Sequence, residues 1–181
     1  MPNYRRSFVK GGTYFFTVNA FRRQNIFIHP NFRNALRKAV IVARQRFPFA
    51  INAWVLLPDH LHCIWTLPEG DDDFSGRWAF IKRSTTKQCK VHFENQHWLT
   101  VSHIKRSEST LWQRRFWEHQ IRDGRDYQTH IDYVYWNPVK HAHVKAVKDW
   151  PYSTFHRDVK LGLYPINWGC VDLSNNIDFG E

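Results

Sequence analysis

The stretch Trp54-Val55-Leu56-Leu57-Pro58-Asp59-His60-Leu61-His62-Cys63-Ile64-Trp65 decides the fold, because a turn interrupts an otherwise apolar run. Pro58 cannot donate a hydrogen bond to a sheet ladder, but it suits the second position of a tight turn, with Asp59 after it. The sequence therefore predicts a hairpin of two strands, from Phe49 to Leu57 and from His60 to Leu67.

Two histidines share one face of the second strand. Side chains alternate along a strand, so His60 and His62 point the same way. The opposite face carries the apolar residues Leu61, Cys63, Trp65 and Leu67. The pair alone is weak support for a metal site, because composition predicts roughly 0.7 such pairs by chance, a risk that short motifs carry. His141-Ala142-His143 is a second example. A metal site therefore needs a further ligand from another element, and the pair could instead be two exposed strand histidines.

The composition favours a globular protein that binds a polyanion. The chain of 181 residues is 43% hydrophobic and 17% aromatic, with a formal net charge of +10. Such a positive net charge favours nucleic acid as the binding partner, and an anionic membrane surface as the second choice.

Nothing in the sequence indicates a membrane protein or a secreted one. No apolar stretch reaches the ~18 residues that a transmembrane helix needs. No apolar signal-peptide core follows Met1-Pro2-Asn3-Tyr4-Arg5-Arg6. The three scattered cysteines form neither a disulfide framework nor a paired metal motif. We therefore expect a cytoplasmic, nucleoid-associated protein with no membrane partner.

The order of predicted elements indicates the fold class. A strand from Thr13 to Asn19 and a helix from Pro30 to Arg46 precede the hairpin. A second helix, with Ser75 as its N-cap, and a fourth strand from Arg115 to Ile121 follow it. This order fits an α+β, ferredoxin-like (RRM-like) sandwich, whose antiparallel sheet has two helices on one face. We expect one domain over residues 1–170 and a flexible tail over residues 171–181.

The second predicted helix is basic on one side. Its cations, together with two near the N-terminus, are candidate DNA contacts, although a basic helix face can also be merely solvated. The candidates are Arg5, Arg6, Arg77, Lys82, Arg83 and Lys87. The run Asp71-Asp72-Asp73 before the helix could bind metal, but capping and solvation are favoured.

A third helix, from about Asp126 to Trp136 and stopped by Pro138, brings a polar stripe. At ~100° per residue, its apolar side packs, while another side carries Asp126, His130, Tyr133 and Asn137. Placed over the open sheet face, this stripe lets Asn137 share a Mg²⁺ or Mn²⁺ ion with the histidine pair. Tyr133 would then be the nucleophile on a phosphodiester. The tyrosine could instead anchor the helix, a role better suited to Tyr127 and Tyr135 on the apolar side.

These features resemble a known family. The His-hydrophobe-His strand and the tyrosine followed four residues later by an amide are similar to the single-tyrosine HUH transposases, in particular the REP-associated tyrosine transposases of bacteria. The resemblance runs from about Asn3 to Gly169. The matching motifs include Leu57-Pro58-Asp59-His60-Leu61-His62, Arg115-Phe116-Trp117-Glu118-His119, Asp132-Tyr133-Val134-Tyr135, Asn137-Pro138-Val139-Lys140-His141 and Trp150-Pro151-Tyr152-Ser153-Thr154.

The resemblance implies cleavage and joining of single-stranded DNA at repeat hairpins, through a 5′-phosphotyrosine and a free 3′-OH. It implies Tyr133 as the catalytic residue and His60, His62 and Asn137 as metal ligands. Many relatives have Gln at the position of Asn137. Roles around the metal or in DNA contact are open for Glu118, His119 and His130.

Two alternatives remain at this point. One is a non-catalytic binding module like an RNA-recognition domain, whose aromatics stack bases on the central strands. The other is a domesticated protein that binds its repeat hairpin without cutting it. No protein partner is implied, and the segment from Trp150 to Trp168 could cover the surface by which related dimers exchange helices, which favours a monomer.

Overall fold

The computed structural model describes residues 8–170, and its four strands form one antiparallel sheet of order β2-β3-β1-β4. The strands are β1 (Thr13–Asn19), β2 (Ala50–Leu56), β3 (His60–Thr66) and β4 (Trp117–Gln120). The helices are α1 (Pro30–Arg46), α2 (Phe74–Phe93), α3 (Val101–Lys105), α4 (Gly124–Lys140) and α5 (Phe155–Lys160). Within residues 8–170, none of the helices is long and apolar enough to cross a membrane.

The predicted hairpin is present. Leu57 N–H donates to the His60 carbonyl at 2.8 Å, which closes the turn at Pro58 and Asp59. The ladder pairs Leu56 with Leu61 and then continues toward Ala50. The turn residues fix this register, because a slip of one residue would move every side chain of β3 to the opposite face.

One face of the sheet packs on α1 and α2. The β3 residues Leu61, Cys63 and Trp65 lie in this core, as the alternation of the strand predicts. Trp65 stacks on Trp78 of α2 with ring centroids 4.3 Å apart. Phe32 anchors α1 in the same core. This layer is the ferredoxin-like sandwich predicted from the order of elements, so the fold class is confirmed.

The other face packs on α4 and the C-terminal segment. Ile131, Val134 and Tyr135 of α4 pack in a second core, with Val55 and Ile64 from the sheet. The periodicity of the third predicted helix thus places its apolar side correctly.

The C-terminal segment closes this second core. Trp150 and Phe155 are buried in it. The indole of Trp150 donates to the Leu56 carbonyl at 3.0 Å, and Ser153 bridges to Val55. The predicted tail, residues 171–181, lies outside the described residues.

Two predicted helix ends are wrong. The N-cap of α2 is Asp73, not Ser75, and its carboxylate accepts from Gly76 N–H at 2.7 Å. Phe74 is the first residue of α2, and its side chain is buried in the first core. The tyrosine helix does not stop before Pro138 but continues to Lys140. A proline in the last turn removes a single ladder hydrogen bond, and the buried helix tolerates that loss.

Candidate active site

His60 begins β3 and is held by its neighbour. Its Nδ1 lies 2.7 Å from Asp59 Oδ1, while Arg23 Nε lies 2.8 Å from the other oxygen of that carboxylate. Because a carboxylate only accepts hydrogen bonds, Nδ1 carries the proton and Nε2 keeps a free lone pair. The turn residue Asp59 therefore orients His60 as carboxylates orient histidines that bind metals.

The ring of His62 is oriented by a hydroxyl of the neighbouring strand. Its Nδ1 lies 2.8 Å from Thr17 Oγ1, and the two residues are partners in the β1–β3 ladder. His62 Nε2 is buried and finds no hydrogen-bond partner among residues 8–170. The rings of His60 and His62 lie 4.9 Å apart. Both histidines thus leave Nε2 available on the tyrosine-helix face of the sheet.

Burial keeps these imidazoles neutral. Desolvation lowers the pKa of His60, although its hydrogen bond to Asp59 acts in the opposite direction. Desolvation also takes the pKa of His62 well below its ordinary value, and the neighbouring His60 adds to that shift. A neutral imidazole carries the lone pair that a divalent cation needs. The electrostatics of the site therefore favour metal binding at neutral pH.

Asn137 is a buried amide without partners. It is fully buried in α4, and neither its oxygen nor its nitrogen makes a hydrogen bond within residues 8–170. An unsatisfied buried polar group costs about 1–3 kcal/mol, so a ligand is expected there. Asn137 lies one turn after Tyr133, which contacts His62, and one turn before His141, which contacts His60. Two imidazole nitrogens and an amide oxygen suit Mn²⁺ or Mg²⁺.

Tyr133 is the tyrosine of α4 that meets the histidine pair. Its ring centroid lies 5.2 Å from that of His62 and 5.9 Å from that of Phe15. The ammonium of Lys140 lies 5.2 Å from the same ring. Tyr135 instead points into the second core, where its hydroxyl donates to Asp158 at 2.5 Å.

His141 was given no role from the sequence, where His141-Ala142-His143 served only as a second example of the histidine pair. Its ring lies 5.3 Å from that of His60, at the C-cap of α4. The signal was the spacing, because Tyr133, Asn137 and His141 follow each other at intervals of four residues. Because the predicted helix ended at Pro138, this spacing was not extended to His141. The site thus carries a third imidazole on its exposed side.

The predicted DNA contacts on α2 have different surroundings. Arg77 is buried, and its guanidinium donates to both carboxylate oxygens of Asp71 and to the carbonyls of Phe47, Pro48 and Asp73. Arg77 stabilises the fold, and its buried guanidinium is not accessible to a DNA phosphate. The acidic run before α2 therefore caps the helix and pairs with an arginine.

The other predicted cations differ in exposure. Lys82 donates to the Gln113 carbonyl at 2.9 Å, and Arg83 and Lys87 are exposed. Arg5 and Arg6 lie outside the described residues.

Glu118, His119 and His130, which had no assigned role, lie on two different faces of the sheet. Glu118 is buried and pairs in the ladder with Phe16, which faces the first core, away from Tyr133. His119 lies on the tyrosine-helix face, where it contacts the carboxylate of Asp126 at 2.9 Å. His130 contacts the same carboxylate at 3.0 Å. The histidines therefore belong to a cluster centred on Asp126.

Relatives are close in sequence and in structure, although no family model matches the chain. A REP-associated tyrosine transposase of Escherichia coli (strain K12) is 52% identical over 168 residues, 93% of this chain and 91% of that protein. A Haemophilus influenzae protein provisionally given the same name is 46% identical over 173 residues, 93% of this chain and 94% of that protein. A solved structure of a REP-associated tyrosine transposase bound to a REP hairpin is 50% identical, with a TM-score of 0.80. That match covers 98% of this chain and 96% of the other.

Proposed function

This chain belongs to the REP-associated tyrosine transposases, and from that premise we propose that it cuts and rejoins single-stranded DNA beside repeat hairpins. REP denotes a repetitive extragenic palindrome. The observation that carries the proposal is the contact between Tyr133 and His62, whose rings are 5.2 Å apart. It places a phenol beside a pair of preoriented imidazoles.

His60, His62 and Asn137 are the proposed ligands of a Mg²⁺ or Mn²⁺ ion. The support is the unsatisfied Nε2 of His62 and the unsatisfied amide of Asn137, both buried. Such an ion would act as a Lewis acid toward the phosphate oxygens of the DNA backbone.

Tyr133 is the proposed nucleophile. Its phenol oxygen would form a bond to phosphorus while the bond from phosphorus to the 3′ oxygen breaks, which leaves a 5′-phosphotyrosine and a free 3′-OH. A neutral phenol is a weak nucleophile and needs help to lose its proton. The ammonium of Lys140, 5.2 Å from the ring, would help to offset the negative charge that builds on the attacked phosphate. The reverse attack by a 3′-OH rejoins the strand without ATP, since the phosphotyrosine retains the ester bond.

The unpaired DNA would cross the tyrosine-helix face at β4. Trp117 is 47% exposed there, and its ring lies 5.6 Å from that of Phe15, which also contacts Tyr133. An exposed indole that is linked to the nucleophile through one phenyl ring is a platform on which an unpaired base can stack.

The hairpin stem would contact the basic groove along α2. Arg83, Lys87 and Lys90 line this groove with Lys82. Lys82 bonds to the Gln113 carbonyl, and Gln113 bonds in turn to Asn19, the ladder partner of His60. The groove therefore meets the end of the sheet that carries His60. A stem held there would deliver its flank to the active site, and Arg5 and Arg6 are proposed as additional phosphate contacts.

A non-catalytic module of the RNA-recognition type is disfavoured. In such a module, aromatics of the central strands stack bases. Here Phe15 and Ile64 on the central strands are buried beneath α4. Trp150 and Phe155 of the C-terminal segment share the second core with Val134 and Tyr135 of α4. This packing on α4 supports the proposal of a monomer. The proposed location is the cytoplasm, at the nucleoid.

The test uses labelled hairpins from repeats near the gene, each with a single-stranded flank, and a blunt duplex of the same sequence. We expect cleavage of the flanked hairpin in Mg²⁺ or Mn²⁺, none of the duplex, and none after chelation by EDTA. His60→Ala should abolish cleavage but keep binding, since phosphate contacts dominate affinity. His92→Ala, an exposed histidine of α2, is the matched control. Equal cleavage of the duplex, or wild-type cleavage by His60→Ala, would contradict the proposal.

A further inference from the structure

A second cluster of metal-binding side chains lies outside the proposed active site. One nitrogen each of His119 and His130 and one carboxylate oxygen of Asp126 lie within 4.8 Å of one another. His119 comes from β4, whereas Asp126 and His130 come from successive turns of α4. The cluster thus joins the edge strand of the sheet to the beginning of the tyrosine helix.

Both histidines contact the same carboxylate, and His119 Nε2 also lies 3.1 Å from Asp126 Oδ1. His119 Nε2 lies 2.9 Å from Asp126 Oδ2, and His130 Nδ1 lies 3.0 Å from Asp126 Oδ1. The two imidazole rings are nearly parallel, with centroids 4.5 Å apart and planes 13° apart. Small shifts of these side chains would let all three donors reach one cation.

The carboxylate in this cluster is ionised. Although burial raises its pKa, hydrogen bonds from His119 and Arg122 outweigh that effect and lower the pKa of Asp126 to about 2. Arg122 is an exposed side chain that can move away when a cation replaces it. His130 Nδ1 also lies 2.8 Å from the Asp126 carbonyl, and this contact would be given up for a metal bond. One carboxylate and two imidazoles suit a divalent cation of intermediate softness.

The cluster is separated from the histidine pair of β3 by an aromatic ring. Phe15 lies with its centroid 5.0 Å from that of His130 and 5.4 Å from that of His62. Because a phenyl ring offers no metal ligand, one cation cannot be shared between the two sets of side chains. Each set would bind its own ion.

We propose that His119, Asp126 and His130 form a second divalent-cation site, suited to Zn²⁺, that ties β4 to the first turns of α4. Two imidazoles, a carboxylate and a water complete the four ligands that Zn²⁺ prefers. The ion would fix the end of the helix that carries Tyr133. This inference does not depend on the DNA chemistry proposed above.

The test is zinc binding by the full chain carrying His60→Ala and His62→Ala, which removes the first pair of histidines. Calorimetry should show one equivalent of Zn²⁺, and Co²⁺ should give the visible absorption of a tetrahedral complex. Thermal melting should shift to higher temperature with Zn²⁺, because the ion binds the folded state alone. Adding His119→Ala and His130→Ala should remove all three signals. Adding His92→Ala and His97→Ala instead, two exposed histidines outside both sites, should leave them intact.

A measurement on the chain that carries only His60→Ala and His62→Ala tests the zinc site even if the further substitutions unfold the protein. Long-range ¹H–¹⁵N spectra of the histidine rings should show Zn²⁺ on His119 Nε2 and His130 Nδ1. Zinc binding at less than one equivalent, ring shifts confined to other histidines, or full binding after loss of His119 and His130 would overturn the proposal. In that case the cluster is a hydrogen-bonded contact between strand and helix only.

Discussion

Thr17 and His62 face each other across the β1–β3 ladder, and the threonine hydroxyl lies 2.8 Å from the imidazole Nδ1. This contact orients the ring of a histidine whose other nitrogen is buried and unsatisfied within residues 8–170. The proposed metal ligand is therefore oriented by the neighbouring strand and not by its own element.

The first prediction follows from that contact. Thr17→Val keeps the shape of the side chain but removes the hydroxyl, so the ring of His62 can turn. Metal affinity should fall about 10–100-fold, as it does when partners behind metal ligands are removed. The measurement is the Mn²⁺ concentration for half-maximal cleavage. Thr17→Ser is the matched control and should retain most of the affinity. Equal Mn²⁺ dependence of Thr17→Val and wild type would show that the hydroxyl does not orient His62.

The second prediction concerns Asn137. Replacing a buried, unsatisfied amide by an apolar side chain with the same branching removes a polar burial cost of about 1–3 kcal/mol. Asn137→Leu should therefore melt at or above the wild-type temperature while losing metal-dependent cleavage. Thermal unfolding and cleavage are measured on the same preparation. A lower melting temperature together with normal cleavage would mean that the amide has a structural role.

The third prediction separates Arg77 from the other cations of α2. Arg77→Ala leaves Asp71 and the carbonyls of the preceding loop without their donor, so the chain should lose about 2–4 kcal/mol of unfolding free energy. Urea unfolding measures this change. DNA affinity of the folded fraction should be unchanged. A stable Arg77→Ala protein with weakened DNA binding would instead support a direct phosphate contact.

The fourth prediction concerns Lys87, which is exposed on α2. Lys87→Ala should change stability by less than about 0.5 kcal/mol. It should weaken hairpin binding and reduce the slope of log K against log salt by about 1, because one phosphate contact is lost. Lys160, in α5, offers a control substitution outside the basic groove. An unchanged salt slope for Lys87→Ala would remove α2 from the DNA-binding surface.

Much of the fold and the arrangement of the site could be predicted, because both rest on local periodicity. Alternation along β3 places His60 and His62 on one face, and the helical repeat places Tyr133 opposite the packing side of α4. These rules need no knowledge of distant residues.

The remaining features depend on contacts between distant residues. Asp71 folds back from the preceding loop onto Arg77, which turns a predicted surface cation into a buried one. His141 reaches His60 only because α4 continues past Pro138. The partners of His119 and His130 depend on how β4 meets α4. No periodic pattern encodes such contacts.

The most direct measurement for the central claim is the site of a covalent DNA adduct. End-labelled hairpin DNA is incubated with the protein and Mn²⁺, resolved on a denaturing gel, and the retained peptide is identified by mass spectrometry. The adduct should map to Tyr133 and be absent from Tyr133→Phe, while Tyr127→Phe and Tyr135→Phe should retain it. An adduct on another tyrosine would contradict the account, and so would wild-type cleavage by Tyr133→Phe, which would indicate a water nucleophile.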